Sequence, residues 1–187
     1  MWQLPFGRGR KYLSRGRLVD LAVGGWEISG VYSVHSGQFL TPTWTGPNPT
    51  GTAFNGSRTP AQVTIRPDEL RNPNLPIGER IVSRWFDPLA FGAPRPGSFG
   101  TSAKGVIIGP GSNIFNLGLS KYFTVTERVK LRWELSATNS FNHPNWANPQ
   151  TSITSLGQVG VITGTGGVSN LDQSSARNLR MGVRVEW

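Results

Sequence analysis

The alternation of apolar and polar residues restricts the fold of this sequence more than any other feature. Every second residue is apolar over positions 178–187, and the same period of two recurs in the segment 129–141. A period of two places successive side chains on opposite faces of a β-strand. The segments 113–123 and 26–40 follow the pattern less strictly. The sequence therefore predicts an all-β, antiparallel fold with four strands of about ten residues and the tail of a fifth.

The composition excludes several other classes of protein. Gly (24) and Pro (14) together make 38 of the 187 residues, so long helices are not expected. Hydrophobic residues make up 36% and charged residues 16%, which indicates a folded chain rather than a coiled coil or a disordered one. The absence of cysteine excludes disulfides, thiolate zinc sites and cysteine nucleophiles. No apolar run approaches the roughly 18 residues of a membrane helix, and residues 1–5 lack the pattern of a secretory signal.

The connections between the predicted strands differ greatly in length. Residues 124–128 allow only a tight turn, whereas a loop of about 42–112, rich in Pro, Gly and Asn, separates two strands. Within that loop only 83–91 resembles a short helix. A second loop, about 142–176, is rich in Gly, Asn and Ser, and its stretch 157–164 is predicted as a short strand.

Short turns at one end of the strands and long loops at the other are typical of a transmembrane β-barrel. A half-exposed sheet in a soluble β-sandwich has the same alternation. Aromatic residues near the strand ends favour the barrel, because aromatic girdles lie at the lipid interfaces. These residues are Trp26, Trp133, Trp187, Tyr122 and Phe123. If the C-terminus is periplasmic, both long loops fall outside the cell, and the turn at 124–128 and the basic stretch 7–25 fall inside.

Several short motifs occur in a fixed order along nearly the whole chain. They are Leu4 to Arg10, Gly24 to Gly30, Ser36 to Gln38, Arg84 to Pro88 with Ala90 and Phe91, Pro96 to Gly100, and Gly109 to Gly111. The strongest is the segment from Asn139 to Trp146 (Asn-Ser-Phe-Asn-His-Pro-Asn-Trp). In this order the motifs resemble the C-terminal barrel segment of TonB-dependent outer-membrane receptors, specifically the Oar-like group.

This resemblance implies a barrel of roughly 22 strands, plugged by an N-terminal domain, in the outer membrane of a Gram-negative type of cell. Such receptors take up scarce ligands, for example a siderophore or an oligosaccharide, with energy relayed through TonB. Four or five strands are too few to close a barrel, so the chain is expected to be a partial barrel of a larger protein, with residues 1–187 as its C-terminal part. The expected partners are outer-membrane lipid, the plug and remaining strands, the TonB system and the barrel assembly machinery, which reads the terminal aromatic residue Trp187.

Two sets of residues are the candidate functional sites. The polar faces of the last two strands are predicted to line the lumen, where their charges pair across the strands or form the wall against which a plug packs. That structural role is favoured over direct ligand contact. The lumen-facing residues are Lys130, Arg132, Glu134, Arg180, Arg184 and Glu186. Ligand contacts are expected instead from aromatic residues of the long outer loop, since such loops vary in function. These aromatic residues are Trp44, Trp85, Phe86 and Phe91.

Enzymatic chemistry is not expected. His35 and His143 lie on different segments, without acidic residues at ligand spacing, so no metal site is predicted. The acidic pair Asp68-Glu69 and Asp87 give no sign of converging as catalytic carboxylates. No nucleophile motif or phosphate-binding loop with its lysine is present, and no cofactor is predicted.

The formal charge of +9 leaves two alternative functions open. Five of the basic residues are clustered before the first long strand: Arg8, Arg10, Lys11, Arg15 and Arg17. Such a cluster can bind nucleic acid, or it can lie in solvent beside a membrane. We favour the membrane and expect no nucleic-acid partner. The main alternative to the receptor is a soluble β-sandwich that binds glycans or mediates adhesion through its loop aromatics.

Overall fold

The strands and the helix are described by a computed structural model, which covers residues 1–7, 9–13, 16–52, 62–126, 128–166 and 176–187. Two 3-10 turns, Ile77–Glu79 and Pro88–Ala90, accompany them. In chain order the elements of the described residues are β1 (Trp2–Gln3), α1 (Arg17–Val23), β2 (Trp26–His35), β3 (Phe39–Leu40), β4 (Trp44–Pro47), β5 (Gln62–Ile65), β6 (Asp68–Glu69), β7 (Phe91–Gly92), β8 (Ile107–Ile108), β9 (Ser112–Thr124), β10 (Lys130–Thr138) and β11 (Asn178–Glu186).

The four long strands form one sheet with β1, in the order β1-β2-β9-β10-β11. Strand β10 pairs antiparallel with β11 along its whole length and with β9 from Lys130 to Ala137. Between β9 and β10 the chain turns tightly, and the amides of Val125 and Thr126 both donate to the carbonyl of Val129. The predicted antiparallel strands and their turn are thus confirmed. In the described part of the chain this sheet is open, with β1 and β11 at its edges.

The main sheet and α1 belong to one compact unit, formed by Met1–Val34, Asn113–Pro144 and Asp172–Trp187. A second unit is formed by His35–Ser112 and Asn145–Leu171. The second unit has three small antiparallel pairs, β3 with β8, β4 with β5, and β6 with β7. Its own hydrophobic core consists of the buried residues Phe86, Ala90, Phe91 and Ile107.

The long loops are more regular than the sequence predicts. The described residues of the loop 42–112, which exclude 53–61, include five short strands, although turn-forming residues dominate its composition. The predicted helix at 83–91 is wrong except for the 3-10 turn Pro88–Ala90, because proline has no amide donor and occupies the first position of that turn. The predicted strand at 157–164 is also wrong, since Gly157 and Gly160 have φ values of 82° and 76°, which an extended strand does not allow.

Two strand ends and one helix differ from the prediction. Strand β10 ends at Thr138 instead of 141, because Asn139 has a φ of 48° and turns the chain. Strand β2 ends at His35, before Gly37, whose added Cβ would meet the Gly109 carbonyl. The basic stretch 7–25 includes α1, which the sequence does not predict because its seven residues are too few to show helical periodicity.

Candidate functional site

The six charged residues predicted to face the lumen lie together on the polar face of β10 and β11. Residues directly opposite each other in an antiparallel pair point to the same face. Lys130 is opposite Glu186, and Arg132 is opposite Arg184. Glu134 and Arg180 are on the same face, opposite Gly182 and Ser136. Four basic and two acidic side chains make this polar face net positive.

Arg132 is the most constrained member of this face. Its Nε lies 2.6 Å from Glu134 Oε1, and its guanidinium carbon lies 5.1 Å from the centroid of the Tyr122 ring. The register places Tyr122 directly opposite Arg132. Tyr122 therefore belongs to the polar face, and its predicted place in an aromatic girdle is wrong. The ring and the carboxylate together hold the cation beside its like-charged neighbour Arg184, which would otherwise repel it.

Apart from Lys121, the opposite face of the sheet is apolar, and its β11 edge is open to its surroundings. On β11 its residues are 48–73% exposed, whereas a sheet face in a soluble core would be covered. In the order of their strands these residues are Phe115, Leu117, Leu119, Phe123, Leu131, Trp133, Leu135, Ala137, Leu179, Met181, Val183 and Val185. Such an extended apolar surface is what a barrel presents to lipid.

Aromatic side chains lie at both ends of this apolar face. Near the tight turn, Trp26 and Trp133 meet edge to face with ring centroids 6.0 Å apart. Near the other end, Phe115 stacks on Phe141 with centroids 5.2 Å apart. Phe115 and Phe123 of β9 are eight residues apart, or about 26 Å at about 3.3 Å per residue. In a strand tilted by about 35–45°, that separation spans roughly 20 Å along the membrane normal, which lies within the apolar band of roughly 25 Å of an outer-membrane barrel.

The segment from Asn139 to Trp146 builds the turn after β10. Asn139 is almost fully buried, and its side chain donates to the His143 carbonyl (2.8 Å) and accepts from the His143 amide (3.0 Å). Asn142 accepts a hydrogen bond from the amide of Arg177, next to the start of β11. Asn139 and Asn142 both have positive φ values, which asparagine tolerates better than most residues. The sequence motif thus encodes a turn whose side chains fix the start of the last strand.

The four loop aromatics have different environments in the second unit. Phe86 is fully buried and Phe91 nearly so, with their rings edge to face at 6.2 Å. These two phenylalanines build the core and do not present their rings to solvent. Trp85 and Trp44 are half-buried. Trp85 packs against that core and donates its indole N–H to the Ile108 carbonyl at 2.9 Å, so Trp44 and Trp85 remain the predicted ligand contacts.

Asp68 is a buried carboxylate that fixes the second unit internally. Its Oδ1 accepts the Thr101 amide at 3.0 Å, and its Oδ2 lies 3.3 Å from Nε of the exposed Arg95. Burial acts to raise the pKa of Asp68, but the Thr101 hydrogen bond and the charge of Arg95 outweigh it and hold that pKa below its ordinary value. Asp87 forms a separate ion pair with Arg71 at 2.7 Å and caps the 3-10 turn at Leu89. Each acidic group thus has a structural partner.

Among the residues that the structure describes, no group of three or more His, Cys, Asp or Glu side chains could hold a metal ion. Likewise, no helix among those residues is long and apolar enough to cross a membrane.

Comparison with known families indicates what the open apolar face contacts. A family model described as an outer membrane beta barrel domain matches residues 1–180 of the 187. The chain belongs to this family. No curated protein and no solved structure shows significant similarity to it. The barrel domain is therefore an outer-membrane protein whose apolar strand face contacts lipid, and the alternative of a soluble β-sandwich is wrong.

Proposed function

We propose that this barrel domain is the C-terminal part of a TonB-dependent receptor that takes up a scarce ligand, such as a siderophore or an oligosaccharide, across the outer membrane. The proposal is supported by the ordered motifs, which resemble the Oar-like group of such receptors. It is also supported by the turn at Asn139, where residues of the strongest motif form the hydrogen bonds that close the turn. On this proposal the activity is binding and passage of the ligand, with no enzymatic step.

The observation that contributes most is the organisation of the long loops. A loop that only connected two strands would need no core of its own, because its backbone could remain solvated. Here the loop segments form a compact unit with the fully buried residues Phe86, Ala90 and Ile107. A prefolded loop unit is suited to ligand recognition, because binding then costs little ordering of the chain. We place the ligand contacts on this unit, with Trp44 and Trp85 as the first candidates.

The remaining parts of the chain take the following roles in this proposal. The positive face of β10 and β11 lines the lumen, where it faces the plug supplied by the rest of the receptor. Trp187 follows the end of β11 and is 92% exposed, so its ring is accessible to the assembly machinery. TonB acts on the part of the receptor that precedes this chain.

The first test is the size and location of the native protein. Electrophoresis and peptide mass spectrometry of an outer-membrane fraction would identify the polypeptide that contains the peptide Met181–Trp187. We expect a mass several times the 20.4 kDa of this chain. A native product near 20.4 kDa would contradict the proposal of a complete receptor.

The second test is ligand uptake. Cells with and without the gene would be supplied with labelled ferric siderophores and oligosaccharides, in backgrounds with and without TonB. We expect uptake of one ligand class to need both the receptor and TonB. A double substitution of Trp44 and Trp85 to Ala should reduce that uptake, while Phe99→Ala in the same unit should not. Uptake that is independent of TonB would refute the energised mechanism.

A further inference from the structure

Lys121 interrupts the apolar face of the sheet. It lies on β9 between Leu119 and Phe123, directly opposite Trp133, and is only 5% exposed. A cation on the lipid face costs roughly 2–4 kcal/mol at the bilayer midplane but only about 0–1 kcal/mol near an interface. Lys121 is three residues from the end of its strand at Thr124, which places it near the interface at the short-turn end.

Lys121 holds helix α1 against the apolar face by hydrogen bonds. Its Nζ donates to the carbonyls of Ala22 and Gly24, both at 2.9 Å, at the C-terminal end of α1. The same nitrogen lies 4.7 Å from the centroid of the Trp26 ring and 5.1 Å from that of Phe123. A positive charge at a helix C-terminus is favourable, and so is a cation over an aromatic ring. These contacts hold a short helix on the side of the sheet that contacts lipid.

Two apolar grooves lie beside this helix, and Trp26 lines both. The larger, about 570 Å³, lies between Leu18, Leu21 and Ala22 of α1 and the sheet residues that include Lys121 and Leu131. The smaller, about 340 Å³, is lined by Leu4, Phe6, Val23 and Leu119 together with Trp26. Leu18 and Leu21 are 81% and 58% exposed. The helix therefore presents apolar side chains toward the lipid as well as toward the groove.

Two of the basic residues that the structure describes, Arg10 and Lys11, lie near the same end of the sheet. Arg10 donates to Gln3 Oε1 of β1 (2.6 Å), and Lys11 Nζ lies 5.3 Å from the centroid of the Tyr12 ring. Gly7 packs against Gly24 and Asp20 so closely that an added Cβ would lie 2.5 and 2.6 Å from their atoms. The small turn that bears Arg10 and Lys11 is thereby placed beside α1. Basic clusters next to a bilayer attract anionic lipid headgroups.

We propose that the two grooves flanking Trp26 bind one anionic phospholipid, with an acyl chain in each groove and the phosphate held by the basic turn. The open apolar face must be covered by something, and the outer-membrane location makes lipid the molecule available there. Two grooves that share one wall match the two chains of a phospholipid, and the adjacent positive charge matches its phosphate. This inference follows from the membrane location and is independent of transport or TonB.

The test is lipid retention by the complete protein, purified in mild detergent and measured by native mass spectrometry. We expect the wild type to keep one phospholipid that annular lipid does not account for. Ala22→Phe fills the larger groove and leaves the backbone carbonyl of residue 22 available to Lys121, so retention should fall at least tenfold. The matched control is Val183→Phe, which enlarges a residue on the same apolar face outside the grooves and should retain the lipid.

A surface variant keeps the test decisive if Ala22→Phe fails to insert. Arg10→Glu with Lys11→Glu should weaken rebinding of dibrominated phosphatidylglycerol to the delipidated protein, measured by quenching of tryptophan fluorescence, at least tenfold. The corresponding phosphatidylcholine should quench less in the wild type and respond little to the charge reversal. Equal retention in all variants would overturn the proposal, as would a wild-type mass that shows a second copy of the chain in place of lipid.

Discussion

Phe86→Ala should unfold the second unit locally while the main sheet stays intact. The Phe86 ring is fully buried, and it packs edge to face against Phe91 at 6.2 Å. Truncation of a buried phenylalanine to alanine costs about 3–5 kcal/mol, because the transfer free energy is lost and a cavity remains. Every 1.4 kcal/mol is a factor of ten, so the opening equilibrium of the unit should rise roughly 150- to 4,000-fold. Phe99→Ala removes the same ring from a residue that is 57% exposed and should change the equilibrium far less.

Hydrogen exchange of the membrane-embedded protein measures this effect. The amides of Trp85 and Ile162 donate to backbone carbonyls within the unit, both at 2.8 Å, and should exchange faster in Phe86→Ala by the factor given above. The amide of Tyr122, which donates to the Gly25 carbonyl in the main sheet, serves as the internal control. If Trp85 and Ile162 exchange equally fast in Phe86→Ala, Phe99→Ala and the wild type, the assignment of Phe86 to a structural core is refuted.

Three further predictions concern other parts of the chain. The pKa of Asp68 is held below its ordinary value of 3.8, so its stabilising effect is present above that pH and is lost as the pH falls through the folded pKa. Hydrogen-exchange protection factors of the second unit, corrected for the intrinsic exchange rate at each pH, should therefore fall below about pH 3.8, and Asp68→Asn should remove this dependence. Asn139→Ala and Asn139→Gly both lose the hydrogen bonds of the Asn139 side chain, worth about 1–3 kcal/mol. Alanine is also strained at a φ of 48°, whereas glycine is not, so Asn139→Ala should lower the thermal midpoint more. Val183→Lys on the lipid face should lower the folding free energy measured in liposome titrations by about 2–4 kcal/mol. Gly182→Lys lies on the polar face with open space around it and should lower that free energy little. Equal losses would contradict the assignment of the two faces.

In the receptor proposed above, the positive polar face would lie against the plug. Arg132 and Arg184 lie opposite each other, an arrangement that is unfavourable unless other groups compensate. Arg132 is flanked by the Glu134 carboxylate and the Tyr122 ring, while Arg184 on β11 is exposed in this chain. A plug that packs against this face would therefore be expected to present acidic or hydrogen-bond-accepting groups there.

The sequence by itself determined the long strands and their two faces. The period of two is a local property, since successive side chains of a strand point in opposite directions wherever the strand lies. The shared face of Lys130, Arg132 and Glu134 followed from that period, and the pairing of β10 with β11 followed from their succession along the chain as antiparallel strands; the structure confirms both. The tight turn between β9 and β10 was also predictable, because so few residues join the strands.

Tertiary structure alone decided the burial of the loop aromatics and the position of α1. Phe86 and Phe91 are buried by contacts with Ile107 and other residues distant in sequence, which no local pattern specifies. Helix α1 has only seven residues, so its existence depends on the sheet beneath it and on the bonds from Lys121, almost 100 residues away. Periodicity reports which face a residue occupies, but only the packed chain determines what lies against that face.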